Sequence, residues 1–206
     1  PVDWIGELPK RAQGAPMVAK KSGLVWLNRV VALEYKQDWQ GMLKLSQQWV
    51  KSEPVSADAW FSLGIAHKNL KQYEQAIKAY RSALRIQPEY ADAWNNLGNI
   101  HNNIKQHEQA IQAYREALRI DPKYASAWNN LGIAYGNLKQ YEQAIAAYQE
   151  AVRIEPEKAS SWYNLGEAYS RQGQQDKVLE IYQTLHKLDL QMAKAYSNAF
   201  ILPSAK

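Results

Sequence analysis

The 206-residue chain contains no cysteine, which removes disulfide scaffolds, thiolate zinc sites and cysteine nucleophiles together. Four histidines leave little material for metal or base chemistry. No run approaches the roughly 18 consecutive apolar residues of a membrane-spanning helix. Charge bias is missing from the middle of the chain. Residues 57–192 hold 15 basic and 15 acidic side chains, the first 56 hold 8 and 5, and residues 193–206 hold 2 and none, giving the net +5. A body without a basic excess argues against nucleic-acid binding, because neutralising phosphates takes clustered Lys and Arg. Glycine-rich phosphate loops and nucleophile motifs are also missing, so no enzyme activity, metal site or cofactor is expected. Phenylalanine is nearly missing, with 2 against 8 tryptophans and 13 tyrosines. Large rings with one polar end have therefore been placed at particular sites.

Those sites recur at a fixed shift of 34 residues. Trp60, Trp94, Trp128 and Trp162 are in register, as are Leu63, Leu97, Leu131 and Leu165, and Gly64, Gly98, Gly132 and Gly166. Ala76, Ala110 and Ala144 follow, then Tyr80, Tyr114, Tyr148 and Tyr182, then Ala83, Ala117 and Ala151, and Pro88, Pro122 and Pro156 close the units. The units are 57–90, 91–124, 125–158 and 159–192. Counting each from its first residue, positions 4, 7, 8 and 11 lie on one arc of a helix at 100° per residue. Glycine inside a helix costs about 1 kcal/mol, so a glycine repeated in this arc marks a neighbouring element that needs the space. Proline at position 32 stops the second helix.

The pattern resembles the tetratricopeptide repeat (TPR), W-x2-L-G-x2-Y then A-x3-F, A and P over 34 residues. The resemblance implies an all-α fold, a right-handed solenoid of antiparallel helix pairs. Val178 and Leu185 replace the small residues of the fourth unit, and Leu190 replaces its proline, as suits a terminal repeat. One step back, residues 23–56 read as a degenerate first repeat, with Val30 at the glycine position. One step forward, residues 193–206 read as a capping helix and tail, giving about five repeats plus a cap. Lys71, Lys105 and Lys139 stand where the family commonly turns at glycine; either a lysine is left-handed there or the turn is built differently.

The opposite arc, positions 2, 5, 6, 9, 12 and 13, holds all 12 asparagines of the chain once flanking windows are counted. In this family that arc lines the concave face where partners usually bind. Asparagine is a mediocre helix former, but its amide offers a donor and an acceptor to a peptide bond. The row Asn96, Asn130 and Asn164 resembles the asparagine ladder in the repeat domain of O-linked N-acetylglucosamine transferase, which implies an extended peptide held by its backbone. The candidate binding residues are Asn95, Asn96, Asn99, Asn103, Asn129, Asn130, Asn137 and Asn164, with Phe61, Ile65, Ile133 and Tyr163 as apolar anchors. A neutral polar face, copied with the repeats, is the alternative. A carboxylate clamp for chaperone tails is not expected, since positions 2, 5 and 6 of the four units carry no Lys or Arg. His67 and His101 share position 11, which reads as a metal pair or as a packed substitute for Tyr.

Residues 1–22 have three prolines and no helical period, as a linker or extended arm. The opening at Pro1 is read as a fragment or processed product. Its first eight residues, Pro1-Val2-Asp3-Trp4-Ile5-Gly6-Glu7-Leu8, resemble the end of bacterial trypsin-like (HtrA-type) serine proteases. That resemblance implies a substrate- or partner-recruiting domain downstream of a protease, in the periplasm or secreted; without it the cytoplasm is expected. The expected function is a non-catalytic scaffold for a protein or extended peptide. The alternative is a self-association or intramolecular regulatory module, which allows a homo-oligomer.

Overall fold

The computed structural model describes residues 19–201, with side chains from residue 23, and is helical throughout that span apart from short turns. The helices are α1 (Ala19–Tyr35), α2 (Trp39–Ser52), α3 (Ala57–Asn69), α4 (Tyr73–Ile86), α5 (Ala91–Asn103), α6 (His107–Ile120), α7 (Ala125–Asn137), α8 (Tyr141–Ile154), α9 (Ala159–Arg171), α10 (Gln175–Leu188) and α11 (Leu190–Tyr196), followed by a π-helical turn, Ser197–Ile201. The 34-residue units from residue 57 onward each fold as one helix pair. Two boundaries differ from the sequence expectation. The first helix begins at Ala19 rather than 23, and the last at Leu190 rather than 193, where Asp189 supplies an N-cap by accepting Met192 N–H at 2.9 Å. The protease-like opening lies outside the described residues. The chain divides into two compact units between Glu89 and Tyr90.

The repeated register has a physical purpose at each point. An added Cβ at Gly98 would stand 2.6 Å from Tyr114, at Gly132 2.5 Å from Tyr148, and at Gly64 2.5 Å from Tyr80. The position-24 ring therefore lies flat on the position-8 glycine of its own repeat, where a methyl group cannot fit. In the degenerate repeat 23–56, Val30 and Ser46 occupy these two positions and both are fully buried. The larger side chain of the pair has moved from the second helix to the first. The tryptophan at position 4 does more than pack. Its indole N–H donates to the preceding proline carbonyl, Trp60 to Pro54 at 2.9 Å, Trp128 to Pro122 at 3.0 Å and Trp162 to Pro156 at 2.7 Å. Proline thus ends one helix while its carbonyl anchors the next.

The turn inside each repeat is left-handed. Lys71, Lys105 and Lys139 have φ of 59°, 62° and 59°, and Gly173 has 74°. Around each, the following backbone N–H reaches back over the helix end: Gln72 to His67 O at 2.9 Å, Gln106 to His101 O at 2.8 Å, Gln140 to Tyr135 O at 2.9 Å and Gln174 to Tyr169 O at 3.0 Å. This is a Schellman-type stop with lysine in the place glycine favours.

The fourth repeat is built differently. Val178, Ile181 and Leu185 fill positions that are alanine in the three repeats before it, and all three are buried. Their bulk fills the gap between α9 and α10. Tyr182, the register counterpart of Tyr114 and Tyr148, is left half-exposed against His186. The Gly166 slot is filled instead by Tyr196 of α11, which lies against it fully buried.

Candidate peptide-binding face

In the compact unit that begins at Tyr90 the face on α5, α7 and α9 is a connected row of amides. Asn130 Nδ2 donates to Asn95 Oδ1 at 3.1 Å and to Asn99 Oδ1 at 3.0 Å. Asn164 Nδ2 donates to Asn129 Oδ1 at 3.0 Å, and Asn137 Nδ2 to Asn102 Oδ1 at 3.0 Å. Two rungs run diagonally from position 6 of one repeat to position 5 of the previous one, a third runs from position 6 to position 9 and the fourth from position 13 to position 12, rather than along position 6 alone. The row is anchored on tyrosines. Tyr114, its ring buried on Gly98, donates its hydroxyl to Asn99 Oδ1 at 2.8 Å. Asn95 Nδ2 reaches Tyr124 Oη at 3.4 Å, and Tyr124 donates on to Asp92 Oδ1 at 2.7 Å. Burial pushes the Tyr114 hydroxyl well above the usual phenol range, so it stays a donor at any ordinary pH.

The amides therefore stitch repeat to repeat before any partner arrives. They are not consumed by it. Asn96, Asn99, Asn129, Asn130 and Asn164 are half-buried, while Asn103 and Asn137 are exposed. Asn96 donates to Asp92 O at 2.9 Å within its own helix. The carbonyl oxygens of Asn130 and Asn164 accept no hydrogen bond among the described residues.

The apolar anchors fare differently. Phe61 in the first unit is fully buried, its ring 5.6 Å from that of Tyr80, and Ile65 is only 4% exposed. Neither is a surface anchor, contrary to the expectation. Position 5 lies one helical turn from the glycine at position 8, and the Phe61 ring packs on the Tyr80 ring that covers Gly64. Asn95 sinks at the same position, to 6% exposure. Ile133 is half-buried. Tyr163 is half-buried, its ring meeting Tyr196 at 5.6 Å and Phe200 at 5.7 Å edge to face.

The histidines resolve as packed substitutes. His67 Nδ1 meets Gln72 Oε1 at 2.6 Å, and His101 Nδ1 meets Gln106 Oε1 at 2.7 Å, each across its own turn. His107 Nδ1 donates to Asn102 Oδ1 at 2.7 Å. Among the described residues no group of three or more His, Asp or Glu could hold a metal ion, and no helix is long and apolar enough to cross a membrane. The arc placed Asp92 and Asn102 on this face without counting them among the binding candidates, and it missed Tyr124. Tyr124 sits at position 34, outside the asparagine arc, and reaches position 2 only because the following helix turns back beside α5.

The family model described as "Cilia and flagella-associated protein 70 C-terminal domain" matches residues 18–199. No curated protein sequence matches the chain. Among solved structures, MamA of Desulfovibrio magneticus RS-1 superposes with a TM-score of 0.73 at 22% identity, over 90% of this chain and 98% of that one. A thermophilic TPR protein of Thermus thermophilus gives 0.67 at 21%, over 86% and 98%. YrrB, described as "a TPR protein with an unusual peptide-binding site", gives 0.67 at 19%, over 82% and 89%. At these identities the likeness is one of fold.

Proposed function

The chain belongs to the family of the C-terminal domain of cilia and flagella-associated protein 70, and from that all-helical repeat scaffold we propose that it is a non-catalytic module holding an extended peptide segment of a protein partner on its amide row. The observation that carries this reading is the pair of side-chain carbonyls on half-buried Asn130 and Asn164, one repeat apart and held in place by their own N–H bonds to the neighbouring repeat. A fixed acceptor meets a peptide N–H with little ordering cost. YrrB, a structure with a peptide-binding site and the same fold, supports the class of ligand. Replacing Asn96, Asn130 and Asn164 by Ala removes the contact points, at about 1 kcal/mol each. A peptide captured by the wild-type chain from a displayed random library is expected to bind at least about tenfold more weakly to the triple variant. Circular dichroism, recorded well below the melting temperature, checks that both are equally helical. Equal affinity would overturn the reading.

Two finer readings each rest on one observation. Tyr163 is partly covered by Tyr196 and Phe200, which favours an intramolecular module that limits access to the fourth repeat. The protease-like run Pro1-Val2-Asp3-Trp4-Ile5 favours a recruiting role beside a trypsin-like serine protease. The reading frame upstream of Pro1 tests it, and an unrelated domain there would remove it.

A further inference from the structure

Within the compact unit that begins at Tyr90, one edge of the amide face carries a clip that the fourth repeat lacks. Tyr124 donates to Asp92 Oδ1 at 2.7 Å in the second repeat, and Lys158 Nζ donates to Ser126 Oγ at 3.2 Å in the third. Each joins position 34 to position 2. In the fourth repeat these positions are Met192 and Ser160, and a thioether has no proton to donate. An open cleft of about 500 Å³ stands there instead, lined by Ser160, Tyr163, Asn164, Asp189, Gln191 and Met192. That size is in the range that takes a ligand group. Asn164 belongs both to this cleft and to the amide row.

Asp189 is the one charged side chain in the lining. Its Oδ1 accepts the Met192 N–H, and among the described residues it has no ion pair. We propose that the cleft takes one long cationic side chain, arginine above all, from the extended partner peptide lying on the amide row. The proposal rests on the peptide-binding reading above. A guanidinium suits the lining because it donates in a planar fork to a carboxylate and stacks on an aromatic ring, here Asp189 and Tyr163. Its aliphatic stem matches the Met192 thioether. The Ser160 hydroxyl and the Asn164 carbonyl accept the remaining N–H groups.

The test pans the full chain against a displayed random-peptide library, alongside Asp189→Asn and Met192→Lys. Asparagine still caps a helix, so Asp189→Asn removes the charge and keeps the start of α11. Met192→Lys rebuilds the third-repeat clip and fills the cleft with an ammonium. Wild-type binders are expected to share one Arg or Lys at a fixed place, whose change to Gln weakens binding about fivefold, the scale of a partly exposed ion pair. Both variants should still retain peptides but lose that preference. Binders without a fixed basic residue, or a preference unchanged in Asp189→Asn, would overturn the cleft and leave the amide row standing. A wild-type chain that retains no peptide would overturn both.

Discussion

At the residue scale, the left-handed lysines carry a stability cost that the fold tolerates rather than needs. A left-handed lysine costs about 1 kcal/mol relative to its ordinary conformation, and the fourth repeat already uses Gly173 at that place with φ 74°. Lys139→Gly is therefore expected to raise stability by about 1 kcal/mol, less the entropy glycine adds to the unfolded chain. Urea denaturation measures it, and a loss of stability would show that the Lys139 side chain contributes more than its strain removes. The glycines at position 8 are the opposite case. Their place is set by a ring lying on the backbone, so no other residue can substitute without moving that ring. Both facts concern position in the repeat, and the 34-residue register made both positions visible. The sign at the turn was hidden, because lysine in sequence carries no mark of its backbone angle.

At the element scale, the decisive exchange is that of Tyr196 for Tyr182. Register alone assigned Tyr182 to the core, since it stands 34 residues beyond Tyr148. Three branched residues on α10 overrode the register, and α11 supplied the missing ring. Tyr196→Ala should cost about 3 kcal/mol, as large aromatic deletions in cores do. Tyr182→Ala should cost less, because Tyr182 packs against the core only in part. Denaturant midpoints for the two variants decide it; a larger loss at Tyr182 would restore the register assignment. Asn164 and Tyr163 were found from the helical arc, yet the arc could not tell that Tyr163 is partly covered by α11. Cover by an element from beyond the repeats leaves no periodic trace.

At the scale of the whole molecule, three phenols bind their protons more tightly in the folded state. Burial is the main cause at Tyr114, Tyr148 and Tyr196, joined by the Glu167 carboxylate at Tyr148 and by Tyr163 at Tyr196. Their folded-state values lie above the unfolded value of about 10. Stability from keeping them neutral is therefore complete below about pH 10 and is lost as pH rises beyond it. Denaturant midpoints should be level through the neutral range and fall steeply above about pH 10, while a level midpoint into strong alkali would show these rings to be accessible. The sequence by itself determined the helices, their pairing into 34-residue repeats, the need for space at each position-8 glycine and the arc that bears the asparagines. Each of these follows from local periodicity, which one chain displays in full. Only the tertiary structure decided what the asparagines do first, which is to bond one another across repeats. It alone decided that Phe61 and Ile65 are buried, that Tyr196 replaces Tyr182, and that a cleft opens beside Asp189. Those outcomes depend on which side chains meet across a gap, and the width of a gap is set by the volumes on both sides of it.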